Sequence, residues 1–325
     1  MRILILGSGA WGTSLAQVFA SKKHFVKIWS YEKTVSNQIN KKKINKKYLN
    51  NIQLSKNIIS ITNISNSDEF DFVFYVSPAQ HLLNVLNSSL ILKKIDNLVI
   101  CSKGIDIKSG KVISDIFLKR YKSKNIHVLS GPSFAREIAL GLPAALSLGS
   151  KIKSNKLISL FKNTNIRIYF SQHYKSIQLL GAIKNSYAIG SGIIEGLNLG
   201  ENARAAYLTR VLQEVKILLK IFKSDESFVE SLAGIGDLML TCSSTQSRNF
   251  KLGLTLAKGG KALKYIQENI NINEGYFTAL AVTKNKKINL NKLPILNSII
   301  KVIKGRSPKK EVQALLSRSF KKELF

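Results

Sequence analysis

The run Arg2-Ile3-Leu4-Ile5-Leu6, apolar after its first residue, passes directly into Gly7-Ser8-Gly9-Ala10-Trp11-Gly12-Thr13 and then into an amphipathic stretch from Ser14 to Phe19. A strand that feeds a helix across so short a link needs backbone freedom and room, and glycine supplies both. Gly7 permits the tight turn, Gly9 lets main chain approach a phosphate with no Cβ in the way, and Gly12 lets helix and strand pack closely. The helix N-terminus then offers free N–H groups to an anion. A bare match to this glycine spacing is weak, but here a second apolar run, Phe25 to Trp29, follows at the distance of a βαβ unit. The chain therefore reads as opening on a dinucleotide-binding turn.

Further short β-branched or aromatic runs recur at βα spacing and predict strands at Ile58 to Thr62, Asp71 to Val76, Leu98 to Cys101, His127 to Leu129, Ala145 to Leu148 and Arg167 to Phe170. Three of them end in polar turns: Ser77-Pro78, Ser102-Lys103-Gly104 and Ser130-Gly131-Pro132-Ser133. Ligands of doubly wound sheets bind at the carboxyl ends of the strands, so these loops should line one crevice. From Tyr174 onward the apolar residues recur at helical spacing, and no proline appears until Pro294. The expected fold class is α/β: a Rossmann-like doubly wound sheet domain over residues 1–173, followed by an all-α helical domain over 174–325. Gly181, Ala182, Gly190, Ser191 and Gly192 fall within one predicted helix, where each glycine costs about 1 kcal/mol relative to alanine. Small residues kept at that cost point to close backbone approach.

At 325 residues the chain suits two domains, and it needs neither disulfides nor metal for stability. Cys101 and Cys242 are far apart and outside any C-x-x-C pattern, which fits reduced thiols of a cytoplasmic protein. Four histidines, none in metal-ligand spacing, make a zinc or iron site an unexpected feature. The formal net charge of +31 raises the question of nucleic acid. Lysine, however, is spread along the whole chain, and the densest run, Asn40 to Lys47, lacks interleaved aromatics. That run reads as a surface loop or ragged helix of solvated lysines, with no nucleic-acid partner expected. The N-terminus imitates a secretory signal, but its glycines and polar residues argue against export, and no run of 18 apolar residues suits a membrane span.

Three segments carry chemistry. Lys184 follows Leu179-Leu180-Gly181-Ala182-Ile183, and burial there would lower its pKa toward the range useful for proton transfer. The alternative is a lysine that reaches solvent along its methylene stem. Asp237, in Ala233-Gly234-Ile235-Gly236-Asp237-Leu238, is either the buried partner of a lysine or a helix N-cap. Ser247-Arg248-Asn249 sets three phosphate donors in a row, with an exposed polar turn as the alternative.

Together with Asn202-Ala203-Arg204 and Glu274-Gly275-Tyr276, these motifs resemble, in the same order and over nearly the full length, bacterial NAD(P)-dependent glycerol-3-phosphate dehydrogenase. The resemblance implies reduction of dihydroxyacetone phosphate to sn-glycerol 3-phosphate for phospholipid synthesis, with NADP or NAD as cofactor and no metal. It makes Lys184 the general acid, Asp237 its orienting partner and Lys103 a second active-site lysine that touches both ligands. Gly131, Ser133, Asn185 and Thr241 would complete the substrate shell, and Ser247, Arg248 and Asn249 would receive the phosphate. Ser8, Trp11, Ala135, Ile272 and Glu274, with Lys103 and Arg248, would contact the dinucleotide. One departure stands out: where the family carries Arg or His after the second strand, this chain has Tyr31-Glu32. An acid there bonds the ribose of NAD, so the cofactor preference is open. The oligomeric state is open too, with a homodimer as the expectation. Another two-domain dehydrogenase, of the 3-hydroxyacid or 6-phosphogluconate type, is the nearest alternative, and a non-enzymatic dinucleotide sensor a more distant one.

Overall fold

All of β1 (Arg2–Leu6) after Arg2 is wholly buried, and its side chains alternate between two cores. Ile3 and Ile5 pack with Leu15 and Phe19 of the fingerprint helix (Ala10–Ser21), whereas Leu4 and Leu6 pack with Val73, Tyr75 and Ile100 on the opposite face. A strand buried on both faces is what a parallel sheet between helical layers requires. In this computed structural model, which describes residues 1–64, 69–87, 96–120, 125–268 and 273–319, the sheet has eight strands. The others are β2 (Phe25–Trp29), β3 (Ile58–Ile61), β4 (Phe72–Tyr75), β5 (Asn97–Ile100), β6 (Asn125–Ser130), β7 (Ala144–Ser150) and β8 (Ile166–Ser171). Their order is β3-β2-β1-β4-β5-β6-β7-β8, parallel throughout except for the antiparallel pair β6–β7. Every predicted strand is present within a residue or two of its expected ends. The chain leaves β1 toward β2 on one side and returns to β4 on the other, so a crevice opens at their carboxyl ends.

From Tyr174 onward the described residues hold helices and no strand. The long helix Tyr174–Gly196 is buried on nearly all sides, as its lack of a polar face foretells. Its first turn, Tyr174 and Ile177, still belongs to the sheet's second core, and the rest runs through the centre of the helical region. The close approach expected from its small residues is real. A Cβ on Gly192 would lie 2.0 Å from the Phe250 carbonyl oxygen, and one on Gly253 would lie 2.1 Å from that of Ile189. Gly253 belongs to the neighbouring helix Arg248–Ala257, so this contact fixes Arg248 relative to Lys184.

The Lys/Asn-rich run corrects one expectation. It is not merely a solvated loop: Asn45 is completely buried, and its amide donates to the Ser8 carbonyl at 2.8 Å and to the Thr13 hydroxyl at 2.8 Å. Lysines around it stay at the surface, but the segment as a whole braces the glycine turn.

Candidate active site

The long helix and the short helix Asp237–Cys242 meet at a buried carboxylate. Lys184 is only 8% exposed, and its ammonium donates to Asp237 and, at 2.6 Å, to the Thr241 hydroxyl. Thr241 in turn donates to the Asp237 carbonyl at 2.7 Å, which holds its oxygen toward the lysine. On the other carboxylate oxygen sits Lys103, from the loop after β5, at 2.8 Å; its Nζ also donates to the Gly131 carbonyl at 2.9 Å. Two lysines from the two halves of the chain therefore share one acid that is 1% exposed. Burial pushes the Lys184 pKa down, Asp237 opposes that and Lys103 adds to it, and the balance lies below the ordinary lysine value, at about 8. Both open readings are thereby decided: Lys184 does not reach solvent, and Asp237 is inside its helix, with Gly236 at the N-cap.

A polar chain continues from there. Asn185 donates to the Lys103 carbonyl at 3.0 Å and accepts from Asn249 at 3.2 Å, and Asn249 accepts from the Gly275 N–H at 3.0 Å. Ser247 caps the helix that begins at Arg248, accepting from the Phe250 N–H at 3.3 Å. The run 247–249 is thus a helix N-terminus and not a wholly exposed turn: Ser247 and Asn249 are buried, whereas Arg248 keeps exposed surface while its guanidinium, its pKa lowered by burial, acts on Glu274. A helix start with a guanidinium beside it suits an anionic group. The side chain of Ser133 half-emerges beside Gly131, whose carbonyl accepts its hydroxyl at 2.9 Å.

At the other end lies the glycine turn. Gly7 has φ +127°, and a Cβ on Gly12 would stand 1.9 Å from the Gly7 carbonyl oxygen, so neither position admits a side chain. A Cβ on Gly9 would meet nothing within 4 Å, which leaves the turn open to an approaching phosphate. Ser8 is buried with its carbonyl held by Asn45, and Ala135 is tied to the fingerprint helix by the Ser14 hydroxyl at 2.6 Å. Among the buried side-chain polar atoms of the described residues that lack a hydrogen-bond partner, Trp11 Nε1 and Glu274 Oε2 belong to residues expected to contact the dinucleotide. Native proteins seldom leave such atoms unpaired, so they suit a ligand's polar groups. The other Glu274 oxygen accepts from the Ala79 N–H at 2.8 Å, in the loop after β4. Burial raises the Glu274 pKa to about 7 against the pull of that N–H and of Arg248. These features fit an extended dinucleotide lying from the glycine turn toward Glu274.

Beyond the carboxyl end of β2, Tyr31 is exposed and stacks edgewise near Trp29. Glu32 accepts from Lys47 and Tyr48, each at 2.5 Å. Ile272 lies outside the described residues. Sequence reasoning missed Asn45, Lys47 and Tyr48, because only the folded chain brings them against Ser8 and Glu32. Ser77, in one of the strand-end loops expected to line the crevice, donates to the Leu6 carbonyl at 2.9 Å and accepts through its own carbonyl from Ser102 at 2.5 Å, tying two of those loops together. No group of three potential metal ligands, and no helix long and apolar enough to cross a membrane, occurs among the described residues.

The geometry has counterparts in known proteins. Residues 2–156 match the family model for the NAD-dependent glycerol-3-phosphate dehydrogenase N-terminus, and residues 173–314 match that for the C-terminus. Glycerol-3-phosphate dehydrogenase [NAD(P)+] of Erythrobacter litoralis is 35% identical over 99% of this chain and 97% of its own length. The protein of the same name from Francisella tularensis subsp. novicida is 35% identical over 99% and 98%. The crystal structure of glycerol-3-phosphate dehydrogenase from Coxiella burnetii superimposes with a TM-score of 0.88 at 30% identity, covering 98% of this chain and 99% of that one. With both halves matched and the lysine–aspartate–lysine cluster where those halves meet, this chain belongs to the NAD-dependent glycerol-3-phosphate dehydrogenase family.

Proposed function

We propose that the cluster Lys103–Asp237–Lys184 is the reaction centre of an NAD(P)-dependent oxidoreductase that reduces dihydroxyacetone phosphate to sn-glycerol 3-phosphate, reversibly. The dinucleotide, when bound, supplies the hydride that adds to C2 of the ketone. As C2 gains the hydride, its carbonyl oxygen gains negative charge, and two cationic side chains in a water-poor cleft oppose that charge strongly. Lys184, held by Asp237 and Thr241, gives its proton to that oxygen; in the reverse direction the neutral amine takes it back. Lys103 steadies the oxyanion from the sheet side. Asp237 sets both ammonium groups and is not consumed. Asn185 and Thr241 keep the cluster in place, Gly131 and Ser133 border the carbon chain, and the phosphate docks on Ser247, Arg248 and Asn249. Gly7, Ser8, Gly9, Trp11, Gly12 and Ala135 would hold the cofactor, with Tyr31 and Glu32 assigned to its ribose and Lys103, Arg248 and Glu274 to its nicotinamide half.

The observation that carries this reading is one buried acid gripping a lysine from each half of the chain. The proposed division into residues 1–173 and 174–325 is supported by the last strand ending at Ser171 and the long helix beginning at Tyr174. Phospholipid synthesis is the use proposed for the product, the cytoplasm the place and a homodimer the assembly. Two buried thiols, with the Cys242 pKa raised by burial to about 12, suit a reducing compartment. The phosphate contact is the discriminating test. Purified protein should oxidise NADPH or NADH with dihydroxyacetone phosphate and hardly at all with dihydroxyacetone; equal kcat/KM for the two would reject this substrate.

A further inference from the structure

Glu32 stands just past the carboxyl end of β2, at the N-cap of the helix Lys33–Asn37, one strand over from the glycine turn. In a dinucleotide site an acid in this place bonds the ribose hydroxyls and repels a 2′-phosphate. Here that acid does not stand alone. Lys47 Nζ lies 2.5 Å from one of its oxygens and the Tyr48 hydroxyl 2.5 Å from the other. The lysine also sits 5.3 Å from the Tyr48 ring centroid, so its ammonium is placed from two directions. Lys47 is carried by the segment that Asn45 pins to Ser8 and Thr13, the turn residues themselves. Its position relative to the turn is therefore built in and not left to a mobile surface chain. The residue before Glu32, Tyr31, is exposed and uncharged. Lys33, the other cation of this turn, lines a groove with Ser36, Asn37, Asn40 and Thr62.

We infer that Lys47 is the specificity-determining residue for the adenosine end of the cofactor: it cancels the charge of Glu32 and becomes the partner of a 2′-phosphate, so that a chain with an acid in the ribose position accepts NADP. The inference rests on reading the glycine turn as the dinucleotide site. The pair supplies its own logic. Both side chains keep about a third of their surface in water, at 32% and 28%, so the lysine can exchange a carboxylate for a phosphate without crossing a buried barrier. With NAD bound, Lys47 stays on Glu32 and the acid receives the ribose hydroxyls. With NADP bound, the ammonium bridges the carboxylate and the added phosphate.

The test uses the full chain and measures binding of two cofactor fragments, ADP-ribose and 2′-phospho-ADP-ribose, by calorimetry at one salt concentration. Lys47→Met should lower the affinity ratio of the phosphorylated over the plain fragment by about tenfold or more, the scale of one charge-assisted contact. Lys47→Arg should keep most of the ratio. Because Lys47→Met also exposes an unpaired Glu32, the comparison is repeated in a Glu32→Gln background, where Lys47 is free for the phosphate and its removal should again lower the ratio. A ratio that Lys47→Met leaves within about twofold in both backgrounds overturns the proposal alone. A wild-type protein that binds neither fragment overturns the dinucleotide reading and the proposal with it.

Discussion

The two ends of the cleft use the same residue pair, a lysine on an acid, in opposite settings. At the adenosine end Lys47 and Glu32 are 32% and 28% exposed, whereas at the reaction centre Lys184 and Asp237 are 8% and 1% exposed. Exposed pairs contribute about 0–1 kcal/mol, because water screens them and offers either partner an alternative. Breaking a buried pair by removing one member costs about 3–5 kcal/mol, since the other is left uncompensated. The shallow pair can therefore be traded for a ligand's charge, which is how we propose that it tunes which cofactor enters. The deep pair cannot be traded, and its lysine carries a lowered pKa as the consequence of its burial. On the proposed assignments, burial separates selection from chemistry in this cleft.

The largest effect should come from the deep end. Lys184→Ala should cut kcat by about two to four powers of ten, the range of positioned acid–base catalysis, while the Kd for NADPH by fluorescence titration stays close to wild type. A variant with near wild-type kcat would move the proton donor to Lys103 and dissolve the contrast.

Next in size is the Arg248 guanidinium. Arg248→Ala removes a charge-assisted phosphate contact worth about 1.5–3 kcal/mol, so KM for dihydroxyacetone phosphate should rise by about ten- to 150-fold with a smaller change in kcat. Initial-rate kinetics would show the reverse split, a kcat loss at constant KM, if Arg248 served the chemistry instead.

The smallest change belongs to the shallow end. The wild type should prefer NADPH or NADH by less than about tenfold in kcat/KM, about 1.4 kcal/mol of differential binding. Glu32→Ala should move that ratio toward NADPH, because Lys47 loses its competitor for the phosphate. A wild-type ratio beyond about a hundredfold either way, or a ratio blind to Glu32→Ala, would mean that the shallow pair does not face the cofactor.

The sequence revealed the features that are local. The glycine turn between β1 and its helix, the buried strands and the start of the helical half at Tyr174 each rest on neighbours within a few residues, and all stand as expected. The small residues of the long helix announced a close contact, though only the structure names Phe250 and Gly253 as the other side. Lys184, Asp237 and Lys103 were readable as chemistry-bearing residues, largely through resemblance, but their union spans 53 and 134 positions and no local pattern encodes it. Asn45 was hidden for a different reason. In a stretch crowded with Asn and Lys, composition does not distinguish the one amide that folds inward from the solvated ones around it. The triplet Ser247-Arg248-Asn249 was half-legible: the residue types pointed to an anion, but the helix start that presents them was not anticipated.

The most direct test of the central claim, that burial turns the Asp237-bound Lys184 into the proton donor, is the pH dependence of kcat for dihydroxyacetone phosphate reduction at saturating NADPH. An acid must be protonated to act, so reduction should be level at lower pH and fall as pH rises through the lowered lysine pKa of about 8, while glycerol 3-phosphate oxidation rises over the same interval. A reduction rate that stays level to about pH 10, where even an ordinary lysine begins to lose its proton, would contradict the assignment.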